Sequence, residues 1–238
     1  MRNLHQAAEI AAQLVAIDPT NTSFQEDLAQ CSTLLGRLLR LSGDLPGANV
    51  QATRAMPIFI ALTKQDPANS GWQREFAEAQ LEQARQSQAA GQVEAARAQA
   101  QSASRILDPL LARQPDDRAT VLAAAATKLL FADLIAPHDP PTARQLRNTA
   151  LKTIRDQDSG DPRLAALQVA ALLALGKKVE AQPAIKRLWN SGYRDPALLA
   201  LLNRARIDYP VNTAMQVRLR SARQSARLDA SSPSSAQE

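Results

Sequence analysis

The residue types of this chain that could do chemistry or recognition are a cysteine, Cys31, two histidines, His5 and His138, an acidic pair, Asp116-Asp117, and the charged side chains Arg37, Glu78, Glu82 and Arg85. A thiol beside an imidazole makes a nucleophile, and cysteines with histidines at short spacings make a zinc site. One cysteine and two remote histidines supply neither pattern. Cys31 falls between Leu28 and Leu35 at helical spacing, where a buried structural thiol is expected. Neither His5 nor His138 has a cysteine or carboxylate partner nearby in sequence, so both are read as solvated. Asp116-Asp117 follows Pro115 at a helix start, where carboxylates favour the positive end of the helix dipole, and capping is the expected role. No serine is framed by a Gly-x-Ser-x-Gly elbow. We therefore expect no catalytic residue, no metal and no cofactor, and a chain that is not an enzyme. The charged set is a different matter, because Arg37, Glu78, Glu82 and Arg85 have meaning only if helices hold them on one surface.

Composition says that helices are what this chain has. Its 238 residues include 46 Ala and 32 Leu, both strong helix formers, against 4 Phe, 2 Trp and 2 Tyr. Strands draw on the opposite set, so an all-α fold is expected. No apolar run approaches the ~20 residues of a membrane span, since the longest candidate, 121–136, carries Lys128 and Asp133. Glu9 interrupts the apolar stretch after Arg2, against a signal peptide. The expectation is a cytoplasmic protein without a membrane span, periplasmic only if detached from a transmembrane parent.

An internal repeat organises the helices. Pro19, Pro67 and Pro115 are spaced by 48 residues, and the same interval relates Asp18 to Asp66, Asn21 to Asn69, Phe24 to Trp72, Leu28 to Phe76, Gly43 to Gly91 and Ala48 to Ala96. Later the interval shortens to 34, from Asp161-Pro162 to Asp195-Pro196. Proline disfavours helix at the residue before it, asparagine caps the next helix, and glycine suits the left-handed turn that ends it. These stops predict helices over 3–17, 22–42, 45–65, 70–90, 92–114, 117–136, 141–157, 162–175, 179–191, 196–208 and 212–228. Pro57 and Pro109 fall inside two of them and should bend or break them. The segment 136–143, with three prolines, reads as a rigid loop with Thr142 as the cap. The domains that follow are a repeat domain over 1–209 (long-period repeats about 18–136, short-period about 162–209), a basic helix over 210–228 and a disordered tail over 229–238.

The motifs Leu35-Gly36, Leu39, Gly43, Ala48 and Ala55, repeated in part as Gly91, Ala96 and Ala103 and as Gly176 and Ala181, resemble the tetratricopeptide repeat, a helix-turn-helix unit of 34 residues. The likeness covers most of 1–209 and implies an α-solenoid of antiparallel helix pairs. It departs from the family in the 48-residue period, in Gln83-Ala84 where the family has Leu-Gly, and in an aromatic displaced to Phe24 and Trp72. The phrases at 18–29, 66–77 and 192–202 also look like the C-terminal repeat regions of bacterial eukaryotic-like serine/threonine kinases and related signalling proteins, whose repeats sense or dock. No kinase signature occurs in the chain, so no catalysis is carried over.

In such a solenoid the first helix of each pair lines a concave groove. Arg37, Glu78, Glu82 and Arg85 share those helices and stand off their apolar faces, which nominates them as the groove that grips a protein or peptide. Residues 1–142 hold 12 Lys/Arg against 15 Asp/Glu, whereas 143–228 hold 16 against 6. That basic half, with Arg218, Arg220, Arg223 and Arg227 as its densest patch, gives the alternative of an electrostatic binder of nucleic acid or anionic membrane. Nucleic acid is the weaker option, because stacking aromatics are scarce there. A homo-oligomer through the terminal repeats is a third possibility, since Leu4, Ile10, Leu14 and Ile17 of the first helix need cover.

Overall fold

The computed structural model describes residues 2–155 and 160–209. Among these residues there are ten helices and no strand: α1 (Arg2–Ile17), α2 (Thr22–Leu41), α3 (Leu45–Gln65), α4 (Ser70–Ala89), α5 (Val93–Arg113), α6 (Arg118–Ile135), α7 (Pro140–Arg155), α8 (Pro162–Ala174), α9 (Lys178–Asn190) and α10 (Pro196–Arg204). The largest departure from the expected ends is α10, which stops at Arg204 instead of 208. The expected helix over 212–228, with Arg218, Arg220, Arg223 and Arg227, and the tail over 229–238 lie outside the described residues.

The repeat builds nearly the same turn twice. Asp18 and Asp66 accept from the backbone N–H two residues on, of Thr20 at 3.1 Å and Ala68 at 3.0 Å. Gln25 and Gln73 reach back to the carbonyls of Pro19 and Pro67. Asn21 then caps α2 by accepting from Ser23 and Phe24, and Asn69 caps α4 by accepting from Trp72. Asp117, Asp161 and Asp195 do the same for α6, α8 and α10. Between the helices of a pair, Gly43, Gly91 and Gly176 have φ of 89°, 77° and 77°. The residue after each glycine donates to a carbonyl of the last helical turn, at 2.8–2.9 Å, closing the left-handed cap.

One expectation needs correction and another is narrowed, since of bending and breaking at Pro57 and Pro109 the break is excluded. Thr142 is not the cap of α7. Pro140 and Pro141 start the helix, where their missing N–H groups cost nothing, and Asp139 caps it by accepting from the Thr142 N–H at 3.0 Å. Nor do Pro57 and Pro109 break their helices: α3 and α5 run continuously through them, as α9 runs through Pro183. All three prolines are exposed, as are Thr53 and Arg105, the residues four before Pro57 and Pro109. Water can therefore satisfy the carbonyls left without a helical partner.

The described chain divides into two compact units, Met1–Tyr193 and a second that begins at Arg194. In the first, each helix packs on the next, and α2, α4, α6 and α8 also touch one another in series; α3, α5, α7 and α9 have no comparable contacts among themselves. The unit is thus a stack of pairs, α2/α3, α4/α5, α6/α7 and α8/α9, with the first helices forming an inner layer. Its core is a succession of small clusters, each bridging neighbours: Ala8, Leu35, Leu39 and Ala48; Ala29, Phe59, Leu62 and Ala79; Ala77, Leu107 and Ala124; Leu81, Ala100, Leu130 and Leu134. The alanines five residues past the turn glycines, Ala48, Ala96 and Ala181, are fully buried, which is how long helices come close enough to pack. In α1, Leu4 packs into the first cluster while Ile10 and Ile17 stay 50% and 79% exposed. In the second unit, the Arg194 guanidinium sits 4.8 Å over the Tyr209 ring and donates to its hydroxyl.

Candidate functional site

The asparagine caps and glycine turns set α2 and α4 in the same register, so residues 48 apart occupy equivalent places. Arg37 and Arg85 are such a pair, one on each helix of the inner layer. Around them the structure gathers two residues that the sequence nominated, Glu82 and Arg85, with one that it did not, Arg40. Glu82 is 4% exposed and receives two bonds from Arg40, at 2.5 Å from Nε and 3.3 Å from Nη2; the Arg85 guanidinium lies 3.6 Å away. Glu82 is therefore not a groove side chain standing in solvent but the buried hub of an arginine cluster. Burial pulls the Arg85 pKa below its usual value, and repulsion from Arg37 and Arg40 acts in the same direction against the attraction of Glu82. Arg37 itself is exposed.

One to two turns earlier on α4, the sign reverses. Glu78 pairs with Arg74 at 2.8 Å, and Arg74 also donates to Glu75 at 3.2 Å. Glu26 on α2 accepts from the Trp72 indole at 2.9 Å, closing the second polar link between α2 and α4. Burial raises the Glu75 pKa, with the charges of Glu26 and Glu78 adding to it, while Gln30 and Arg74 oppose. At the starts of the next inner helices, burial raises the Asp117 carboxyl, but bonds from Thr120 and Ala119 and the charge of Arg74 together leave it lowered, and the Arg163 side chain, bonded to Asp161 at 2.7–3.2 Å, holds that carboxyl below the usual range. The inner layer thus has an acidic end at its helix starts and a basic cluster nearer the ends of α2 and α4.

The other candidates are ordinary. Cys31 is half-buried against the α1–α2–α3 cluster, and burial pushes its thiol pKa up, away from a reactive thiolate. His5 and His138 are exposed. Asp117 caps α6. No group of three or more His, Cys, Asp or Glu side chains among the described residues could hold a metal, and no described helix is long and apolar enough to cross a membrane. Lys128, half-way along the apolar run of α6, is paired with Asp108, and Asp133 with Arg147.

Arg40 escaped sequence reasoning because its partner is 42 residues away, off the repeat interval. The available signal was subtler: Arg37 and Arg85 share a repeat position, so a second arginine one turn from either makes a cluster. No protein-family model and no curated protein matches the chain. Among solved structures it is similar to BtubC (BKLC) from P. vanneervenii, at 14% identity over 88% of this chain and 92% of that one, with a TM-score of 0.41.

Proposed function

We propose that this chain is a non-catalytic scaffold that holds a segment of another protein against the inner layer formed by α2, α4, α6 and α8. The observation that carries the reading is that these four helices touch in series and set the charged stripe of α2 directly against that of α4. A surface assembled in advance loses little conformational entropy on binding, so side-chain complementarity translates into affinity. The resemblance to tetratricopeptide repeats of bacterial kinase-type signalling proteins suggests a docking or sensory role in such a system. The test is affinity capture with the partner identified by mass spectrometry, followed by charge reversals. Arg37→Glu, Glu78→Lys and Arg85→Glu are expected to abolish capture, and Arg54→Glu and Arg105→Glu on the outer helices to leave it intact. The opposite pattern would refute the assignment.

A second reading has one observation in its favour. α7 contains no acidic residue, and its exposed Arg144 and Lys152 flank a shallow depression lined also by Pro141, Gln145, Asn148 and Thr149. An electrostatic binder of nucleic acid or anionic membrane would use this face. Salt-sensitive retention on heparin, lost in Arg144→Glu/Lys152→Glu, would support it.

A further inference from the structure

The fold sorts charge by layer, which a division of the chain into halves does not show. The inner helices α2, α4, α6 and α8 hold seven Lys/Arg against six Asp/Glu, whereas the outer helices α3, α5, α7 and α9 hold twelve against three. All three outer acids are paired: Glu94 with Arg97, Asp108 with Lys128 of α6, and Glu180 with Arg155 and Lys177. Among the described residues, every outer helix is left with two exposed cations that stand in no ion pair. They are Arg54 and Lys64 on α3, and Arg105 and Arg113 on α5. On α7 they are Arg144 and Lys152, and on α9 Lys186 and Arg187. We propose that this outer layer is a docking face for an anionic lipid bilayer. The proposal rests on the second reading above for α7 and extends it to α3 and α5, which lie in the half of the chain whose net charge is negative.

A second observation selects lipid over other anions. The large apolar side chains exposed on the outer helices are Val50, Ile60, Val93 and Val179, the last 85% exposed; among the described residues the inner helices expose one, Leu34. Nucleic acid offers phosphates to the cations but nothing to aliphatic side chains, and it rewards stacking aromatics. The outer helices keep theirs covered, Phe59 buried and Trp189 half-buried. A bilayer uses both features: its headgroups pair with Lys and Arg, and aliphatic side chains enter the boundary beneath them. It also demands no fixed register, which suits cations repeated two to a helix better than the single patch an acidic protein would select. On α7, Arg144 and Lys152 stand about 12 Å apart along the helix axis. They flank the shallow depression with Asn148 and Thr149 between them, a seat for one headgroup. With lipid on the outer layer, the inner layer stays open to a protein segment.

The experiment is co-sedimentation of the full chain with vesicles of phosphatidylcholine, alone or with about 30% phosphatidylserine. Binding to the anionic vesicles is expected to exceed binding to the neutral ones by about tenfold or more, and to fall as salt rises. Arg54→Gln/Lys64→Gln and Arg105→Gln/Arg113→Gln should each weaken it by about fivefold or more, as should Arg144→Gln/Lys152→Gln, with Arg118→Gln on α6 unchanged. Val50→Ser/Val179→Ser should weaken vesicle binding about threefold and leave retention on heparin as it was. All these side chains are exposed, and circular dichroism checks that each variant folds. The proposal is overturned if neutral vesicles bind equally, if a DNA duplex binds more tightly than the anionic vesicles, or if the valine variants change nothing. It is also overturned if Arg218→Gln/Arg220→Gln/Arg223→Gln/Arg227→Gln abolishes binding while the outer-helix pairs have no effect. An acidic protein in place of lipid would show as partner capture lost from the α3 and α5 variants with vesicle binding unchanged. Loss from the α7 pair alone would remove the outer-layer site and keep the α7 reading; heparin retention insensitive to that pair would remove both.

Discussion

The second and third copies of the repeat occupy the same register but fill it oppositely. The charged residues of α4 include Glu75, Glu78, Glu82 and Arg85; 48 residues on, in α6, the same repeat positions hold Ala123, Ala126, Leu130 and Asp133. The α2–α4 seam is accordingly tied by Arg40–Glu82 and Trp72–Glu26, whereas at the α4–α6 seam Leu81 and Ala84 pack with Leu130 and Leu134. The contrast separates two tasks that one fold performs. Apolar seams supply the burial that holds a stack of pairs together, since each pair covers its neighbours. Polar seams add less stability and leave directional groups at the surface, which on the proposed reading are the groups that would distinguish one partner from another.

Substitutions at matched positions sharpen that contrast. Leu130→Ala should cost about 2–5 kcal/mol in denaturant unfolding, the usual range for a buried leucine. Glu82→Ala should cost less, about 1–3 kcal/mol, because the arginines it strands are partly hydrated. A larger loss at Glu82 than at Leu130 would break the division of tasks. The turns should not differ between the halves. Gly91→Ala and Gly176→Ala both place a side chain at positive φ with open space around it, so each should cost about 1 kcal/mol through backbone strain alone. Unequal costs would show that the short-period turn is built differently.

The smallest effect is pH-dependent. Glu75 has a raised pKa in the fold, chiefly from burial, so the folded chain holds its proton more tightly than the unfolded one. Its ionisation costs stability as pH rises from the unfolded value of about 4.3 through the folded value. Glu75→Gln should then melt slightly higher than the parent at pH 7, with the advantage vanishing below about pH 4. A constant difference at every pH would assign the effect to packing.

How far the sequence revealed this depends on the length scale of each interaction. The caps and turns were legible because Asp18, Asn21 and Gly43 act on residues within a few positions, and a 48-residue copy of each repeats the message. The tolerance of Pro57 and Pro109 was not, because it depends on which side of the helix meets water. The arginine cluster was half legible: Arg37 and Arg85 follow the repeat, but the Arg40–Glu82 bond crosses between helices at a separation that no local pattern encodes. Thr142 was misread for a similar reason, since the prolines of 140–141 start a helix only when Asp139 is placed to cap it.

The central claim is that a partner is held on the inner layer, and in-cell photocrosslinking tests it most directly. A photoreactive phenylalanine would replace Arg37 on α2 or Arg118 on α6, and in parallel Arg54 on α3 or Arg105 on α5. Adducts with a single partner protein from the α2 and α6 sites, and none from α3 and α5, are the expected result; adducts confined to the α3 and α5 sites would contradict it.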